Sequence, residues 1–178
     1  MRSHYKILEK EGLYFTTSTI VGWIPIFTSD KYFQIVIDSL RFSQLNKGLK
    51  IYAYVLLNNH FHLIISNENV TELMKSVKSY TAKEIIKFLK EDKEFILLDK
   101  FREKKLLHKK ECEYQIWQES FHPELIISDE MLFRKFDYIH MNPVKKGLVE
   151  NPEDWRYSSA AYYRLDKKVD IIIDALGN

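Results

Sequence analysis

Two strand-like runs, Lys50-Ile-Tyr-Ala-Tyr-Val-Leu-Leu57 and His60-Phe-His-Leu-Ile-Ile-Ser66, flank the pair Asn58-Asn59 and decide the fold. Aromatic and β-branched residues are enriched in strands, and asparagine favours tight turns. The stretch therefore predicts a β-hairpin, around which the rest of the chain is placed.

The segments on either side of this hairpin predict a strand and two helices. Residues 13–21 follow a glycine and are rich in aromatic and β-branched residues, which indicates a first strand. Apolar spacing then predicts a helix that begins at the capping residues 29–30 and ends at residues 46–48. A second helix is predicted after the hairpin, from residues 69–71 to about residue 90.

The C-terminal half predicts one more strand and one more helix. Residues 114–121 resemble a strand that Pro123 closes, and a helix over 130–141 is predicted to end at Asn142-Pro143. Between the halves, residues 90–110 are heavily charged and indicate an extended helix or a mobile excursion. Such a basic insert either holds DNA or is a solvated surface.

The order strand, helix, strand, strand, helix, strand predicts an α+β fold of the ferredoxin-like type. This is an antiparallel sheet with two helices on one face, a free second face, and an additional C-terminal helix. We expect residues 1–178 to form a single domain. The apolar tail at 169–176 is expected to pack on the body or on a partner subunit, so a homodimer is predicted.

Composition excludes several classes of protein. The net charge of +2, from 27 basic and 25 acidic residues, is too small to indicate a nucleic-acid partner by itself. The single cysteine, Cys112, excludes an internal disulfide and a four-thiolate zinc site. The first residues lack the apolar run of a secretory signal, and no segment approaches the about 20 apolar residues of a membrane span. A soluble cytoplasmic protein is expected.

His60 and His62 are candidate metal ligands. Side chains alternate along a strand, so two histidines two positions apart point to the same face. Imidazole binds divalent metals, and it tolerates magnesium or manganese when oxygen atoms complete the shell. The alternative is a pair of partly exposed strand histidines with no metal. A third ligand must come from elsewhere in the chain.

Tyr138 is a candidate nucleophile. Each helical residue advances about 100°, which places Tyr138 and Asn142 together and away from a predicted buried stripe. That stripe comprises Leu132, Phe133, Phe136, Ile139 and His140. The functional interpretation is attack of the phenol on a DNA phosphorus, with the Asn142 amide oxygen as a metal ligand. The alternative is a tyrosine that packs on another surface, and Tyr80 and Tyr114 are rival nucleophiles.

Four segments together resemble the single-tyrosine HUH transposases of the insertion-sequence type, most of all the REP-associated tyrosine transposases. They are Tyr54-Val-Leu-Leu-Asn-Asn-His-Phe-His-Leu-Ile65, Trp117-Gln-Glu-Ser-Phe-His122, Tyr138-Ile-His-Met-Asn-Pro-Val-Lys-Lys-Gly-Leu-Val149 and Pro152-Glu-Asp-Trp-Arg-Tyr-Ser-Ser159. The resemblance spans residues 14–163. Asn58, where the family often has proline, and the long charged stretch at 90–110 depart from it.

This resemblance implies an enzyme that cleaves and rejoins single-stranded DNA at hairpin-flanked sites, as in DNA transposition and recombination. It implies a Mg²⁺ or Mn²⁺ ion held by His60, His62 and Asn142, with Tyr138 forming a covalent phosphotyrosine. The residue types also suggest DNA contacts, with phosphates on Lys145, Lys146 and Arg156 and bases on Trp155. Gly147 is expected to cap the end of the tyrosine helix.

Two other functions remain open on the sequence. A domesticated protein would bind hairpin DNA or RNA without cutting it, using the sheet and basic loops. A metal-dependent phosphoesterase would use the histidines and a water molecule, and would leave Tyr138 unused.

Overall fold

A four-stranded antiparallel sheet forms the centre of the computed structural model, which describes residues 12–119 and 121–176. The strands are β1 (Leu13–Thr19), β2 (Lys50–Leu56), β3 (His60–Ser66) and β4 (Glu124–Ile126). Their spatial order is β2-β3-β1-β4, which is the ferredoxin-like order. The predicted fold class and hairpin are confirmed.

Five α-helices and two short 3₁₀ turns accompany the sheet in the described residues. The helices are α1 (Asp30–Asn46), α2 (Val70–Glu91), α3 (Phe95–Glu103), α4 (Asp129–Lys145) and α5 (Ala160–Leu165). The turns are Val21–Trp23 and Pro152–Asp154. Helix α2 begins as predicted, because the Asn69 side chain accepts a 3.1 Å hydrogen bond from the Glu72 amide.

Both faces of the sheet are covered. Phe61 and Leu63 of β3 pack in a core with α1 and α2, whereas Ile64 packs with Leu132 and Ile139 of α4. The expectation of a free second face is therefore wrong. Leu132 and Ile139 are seven residues apart, which places them on one side of a helix, and this apolar side must be buried. Helix α4 thus lies over the face that carries the two histidines.

The fourth strand is not where the residue pattern predicted it. Within residues 114–119, the segment makes one isolated bridge, between Ile20 and Trp117, and the strand begins after Pro123. Trp117 is buried. Its Nε1 donates to Thr81 Oγ1 of α2 at 3.0 Å, and its ring packs edge-on against the Phe61 ring. The segment is apolar because it packs on the core beside α2. Its residue composition therefore resembles that of a strand, although it forms none.

The end of α4 differs from the prediction by a few residues. The helix passes through Pro143 to Lys145, so Asn142-Pro143 does not end it. Gly147 has φ of 68°, its amide donates to Val144 at 2.9 Å, and the Leu148 amide donates to Pro143 at 2.9 Å. These bonds form a Schellman cap, which confirms the predicted role of Gly147. A proline in the last turn removes one backbone donor without stopping the helix.

The charged segment and the tail both pack on the body. Helix α3 is separate from α2 and buries Leu98 and Phe101, so the expected extended helix is wrong. In the tail, the Asp174 amide donates to the Ile51 carbonyl at 2.8 Å, and the Asp174 carboxylate accepts from the Ile51 amide. Across residues 12–119 and 121–176, every helix is too short or too polar to traverse a lipid bilayer.

Candidate active site

The two histidines of β3 lie side by side beneath α4. His60 pairs with Thr19 of β1 and His62 pairs with Thr17, so both imidazoles share one face of the sheet, as predicted. Their ring centroids are 4.9 Å apart, and each residue is 4% exposed. The hairpin thus holds both candidate metal ligands side by side on a rigid element.

Oxygen atoms orient both rings. The Asn59 side-chain nitrogen donates to the Trp23 carbonyl at 2.8 Å, so its oxygen faces His60 Nδ1 at 2.6 Å. That amide oxygen can only accept, which places the proton of His60 on Nδ1 and leaves a lone pair on Nε2. Thr17 Oγ1 lies 2.8 Å from His62 Nδ1, and the buried His62 Nε2 has no hydrogen-bond partner among the described residues. Oxygen partners at Nδ1 are characteristic of metal-ligating histidines.

Burial keeps both rings neutral at physiological pH. Desolvation lowers the pKa of His60 to about 4, with a further contribution from the charge of Lys146. Desolvation also lowers the pKa of His62 to about 3, helped by His60, Lys146 and Lys135. A neutral imidazole has the lone pair that a metal ligand needs. The pair is therefore ready to bind a cation without first losing a proton.

Tyr138 lies beside the histidines. Its ring centroid is 5.1 Å from that of His62 and 5.8 Å from that of Phe15, and the residue is 42% exposed. In the described parts of the chain, it is the one tyrosine with a ring contact to either histidine. Of the rivals, Tyr80 lies on α2 and Tyr114 contacts Arg102. The tertiary structure thus favours Tyr138 as the phenol that a bound substrate would meet.

Asn142 lies one helical turn after Tyr138 on α4, but it is buried. It is 6% exposed, on the same side of the helix as His140 and Pro143. The buried side of α4 is centred on Leu132 and Ile139, whereas Phe133 is 39% exposed. The buried stripe is therefore rotated around the helix relative to the predicted one. This rotation leaves Asn142 on the buried side of α4. An amide oxygen at this position is of the type that can complete the shell of a divalent ion.

The residues present fit a divalent ion. Two neutral imidazoles and the amide oxygen of Asn142 offer nitrogen and oxygen donors, and substrate oxygens can complete such a shell. Within residues 12–119 and 121–176, there is no cluster of three or more His, Cys, Asp or Glu side chains placed for a metal. Asn142 is the candidate that the sequence offers for a third protein ligand.

The four predicted DNA contacts divide into two groups. Lys145 and Lys146 are exposed at the end of α4, and the charge of Lys146 acts on both histidines. Arg156 instead pairs with Asp30 at 2.7 Å. The Trp155 indole is half-buried and donates to the Leu56 carbonyl at 2.8 Å. The structure thus brings Lys146 near the histidines, and it gives Trp155 and Arg156 structural contacts elsewhere.

Sequence reasoning missed two neighbours of the histidines. Trp23 is 57% exposed, has φ of 56°, and meets the His60 ring edge-on at 5.7 Å. Its one sequence signal is a Gly-Trp pair just after β1. Lys135 of α4 lies over the Phe15 ring at 4.2 Å and lowers the pKa of His62. Both residues reach the histidines through tertiary packing, so no local sequence pattern predicts that they lie there.

Comparison with known proteins found relatives along the whole chain. No family model matches. A Haemophilus influenzae protein with the provisional name REP-associated tyrosine transposase is 29% identical over 171 residues, which are 96% of this chain and 90% of the relative. A solved structure, described as a REP-associated tyrosine transposase bound to a REP hairpin, aligns with a TM-score of 0.65 and 20% identity. That alignment covers 100% of this chain and 98% of the other. The structural likeness shows a shared fold, and the predicted resemblance to the REP-associated tyrosine transposases is confirmed.

Proposed function

We propose that this protein is a transposase of the single-tyrosine HUH type, an endonuclease and strand transferase that acts on single-stranded DNA at hairpin-flanked sites. The observation that carries the proposal is the 5.1 Å approach of the Tyr138 ring to His62, beside a buried and neutral histidine pair. The transposase relative and the hairpin-bound structure of the same fold support it.

His60, His62 and Asn142 would hold a Mg²⁺ or Mn²⁺ ion in this enzyme. Such an ion supplies positive charge that stabilises a phosphate under attack. Asn59 and Thr17 keep the two rings oriented through their bonds to Nδ1. Lys146 adds a fixed positive charge near the pair, which would attract the DNA backbone. Lys145 is the adjoining phosphate contact in this proposal.

Tyr138 would act as the nucleophile. Its Oη forms a bond to phosphorus while the bond from phosphorus to the 3′ oxygen breaks, and the phenol proton ends on the departing 3′ hydroxyl. The product is DNA linked by its 5′ phosphate to Tyr138. Another 3′ hydroxyl can reverse the step and join a new strand, because the linkage conserves the bond energy. The Tyr138 side chain is 42% exposed, so a DNA strand at the surface can reach it.

Several wider features belong to the same proposal. Residues 1–178 act as one catalytic domain, and the exposed free thiol of Cys112 is compatible with the reducing cytoplasm that we assign. We assign a homodimer. Because the tail packs on its own chain, the exposed Phe42 and Leu45 of α1 supply the apolar surface for it. Light scattering across a concentration series tests the dimer.

A covalent adduct assay tests the function. Purified protein is incubated with Mn²⁺ or Mg²⁺ and hairpin-containing single-stranded oligonucleotides from the flanks of its own gene, and the mixture is run on a denaturing gel. We expect an adduct with wild type and with Tyr80→Phe, and none with Tyr138→Phe or His60→Ala. Tyr80 is the matched control because it is exposed on α2, away from the histidines.

The same assay separates the two alternatives. DNA binding without an adduct under either metal would show a catalytically silent hairpin-binding protein. Strand cleavage that survives in Tyr138→Phe would show a phosphoesterase that uses water. Either result would overturn the proposal.

A further inference from the structure

A basic groove runs along α2, outside the histidine site. It lies between α2 and the irregular segment near Trp117, and its volume is about 600 Å³. Lys75, Lys78 and Lys83 line it from α2, and Lys109 lines it from the opposite side. Since three of these lysines lie on one side of a single helix, their charges point into a shared space.

The charge of this groove is larger than that of the whole protein. Its four lysines face one acidic residue, Glu119, which gives a formal net charge of +3, whereas the entire chain carries +2. Glu119 is engaged by Lys109 at 2.8 Å and Lys75 lies 3.7 Å from Glu72, so Lys78 and Lys83 are the α2 lysines of the groove without an ion pair in the described residues. Such a concentration of one charge in a concave surface attracts polyanions.

Lys78 gives independent support for an anionic ligand. Its Nζ donates to the backbone carbonyl of Gln118 at 2.8 Å, and no carboxylate forms an ion pair with it in the described residues. Burial and the charge of Lys109 lower the pKa of its ammonium group, and the charge of Glu119 opposes this effect. A partly buried charge without a counter-ion is costly, and a phosphate in the groove would offset that cost.

Aromatic side chains adjoin these lysines. Tyr114 and Phe121 line the groove, and Lys78 lies 6.0 Å from the centre of the Phe121 ring. Duplex DNA presents phosphates but keeps its bases stacked inside, whereas a single strand can place bases on aromatic rings. The combination of lysines and aromatic rings therefore favours an unpaired strand over a duplex.

The groove continues toward the candidate active site. A neighbouring cavity shares Lys78 and Phe121 with it and adds Thr17 and Thr19 of β1. Strand β4 pairs with β1 only as far as Phe15, and the Gln118 amide donates to the Thr19 carbonyl at 2.8 Å, so the cavity borders β1 between these two contacts. Thr17 Oγ1 lies 2.8 Å from His62 Nδ1. The basic groove and the histidine pair are thus joined through β1.

We propose that this groove binds a single-stranded segment of the DNA substrate, with its phosphates on the α2 lysines and its bases on Tyr114 and Phe121. The proposal rests on the function above and gives the unpaired strand a path along β1 toward Tyr138. In this proposal one surface, the groove on α2, binds the single strand, and another, the histidine site, carries out the cleavage.

Binding to two matched probes tests the groove. A fluorescent hairpin with a single-stranded extension is compared with the same hairpin without the extension, using Tyr138→Phe protein to prevent reaction. We expect Lys75→Ala/Lys83→Ala to weaken binding of the extended hairpin at least 10-fold. The slope of log affinity against log salt should fall by about 1.4, because each lost single-strand phosphate contact contributes about 0.7. Binding of the blunt hairpin should not change.

Lys87→Ala/Lys93→Ala is the control, because it removes two lysines from the same region without touching the groove lining. Lys78→Met is a second groove variant that keeps the buried side-chain volume, and it should act in the same direction. Thermal melting confirms that each variant is folded. Equal losses on both probes, or the same loss in the control, would overturn the proposal, as would unchanged binding by both groove variants.

The two proposals fail in different ways. If wild type forms the covalent adduct while groove variants bind the extension normally, the groove proposal is wrong and the transposase proposal stands. If the groove variants lose the extension but wild type never forms an adduct, the groove binds DNA in a protein that does not cleave it.

Discussion

The side-chain oxygen of Asn59 lies 2.6 Å from Nδ1 of His60, within the turn that joins β2 to β3. The nitrogen of the same amide donates to the Trp23 carbonyl at 2.8 Å, which prevents the amide from turning over. One turn residue therefore orients a candidate metal ligand and fixes the loop that carries an exposed indole.

Replacing Asn59 by alanine should weaken metal binding. Without the oxygen at Nδ1, His60 loses its orientation and its preferred tautomer, and losses of this kind reduce metal affinity by about 10- to 100-fold. Mn²⁺ titration followed by electron paramagnetic resonance measures the effect. Asn58→Ala is the control, since it changes the neighbouring turn residue without removing that bond. An unchanged Mn²⁺ affinity in Asn59→Ala would show that the bond does not support a metal site.

Replacing Trp23 by alanine should weaken DNA binding without unfolding the protein. The indole is 57% exposed and lies 5.7 Å from the His60 ring, where a base beside the reacting phosphate would stack on it. Loss of one stacked base costs about 1–3 kcal/mol, or about 5- to 150-fold in affinity. Fluorescence anisotropy measures this loss, and Trp23→Phe should restore most of it. Phe95→Ala removes a similarly exposed ring from α3, and an equal effect there would contradict the prediction.

Lys146→Ala should slow adduct formation more than Arg156→Ala. The charge of Lys146 acts on both histidines, whereas Arg156 already pairs with Asp30 at 2.7 Å and with Asp170 at 3.6 Å. Initial rates at low DNA concentration compare the two variants, and we expect a loss of about 10-fold for Lys146→Ala, as for one good phosphate contact. A larger loss for Arg156→Ala would place the DNA on the α1 side of the molecule.

Acid should destabilise the metal-free protein between pH 6.5 and about pH 4. Burial lowers the pKa of His140 from 6.5 to about 4, and it lowers those of His60 and His62 in the same direction. Between these pH values the unfolded chain binds protons at these histidines and the folded chain does not. Their contribution to the free energy of unfolding is therefore complete above pH 6.5 and is lost as the pH falls toward 4. For His140 alone the shift corresponds to about 3 kcal/mol.

Urea unfolding at several pH values in the presence of a chelator measures this loss. His140→Gln should reduce the pH dependence, because it removes one of the buried titrating groups while keeping a polar side chain near Ser159. His122→Gln changes an exposed histidine and serves as the control. A flat stability profile from pH 7 to pH 4 would contradict the prediction.

Several features were predictable from the sequence because their causes are local. Strand alternation alone places His60 and His62 on one face, and the paired asparagines predict the turn before them. The start of α2 and the cap at Gly147 also follow from residues within a few positions. The predicted fold class was correct because the order of these local elements determines a ferredoxin-like sheet.

Other features depend on contacts between distant residues, which only the tertiary structure decided. Trp117 packs on α2 instead of entering the sheet, so the fourth strand begins later than its apolar sequence suggested. Helix α4 buries the second face of the sheet and brings the Tyr138 ring to 5.1 Å from His62, across 76 positions of sequence. The sequence determined which groups were available for chemistry, but packing determined which of them meet, because hydrophobic burial is non-directional and acts over the whole chain.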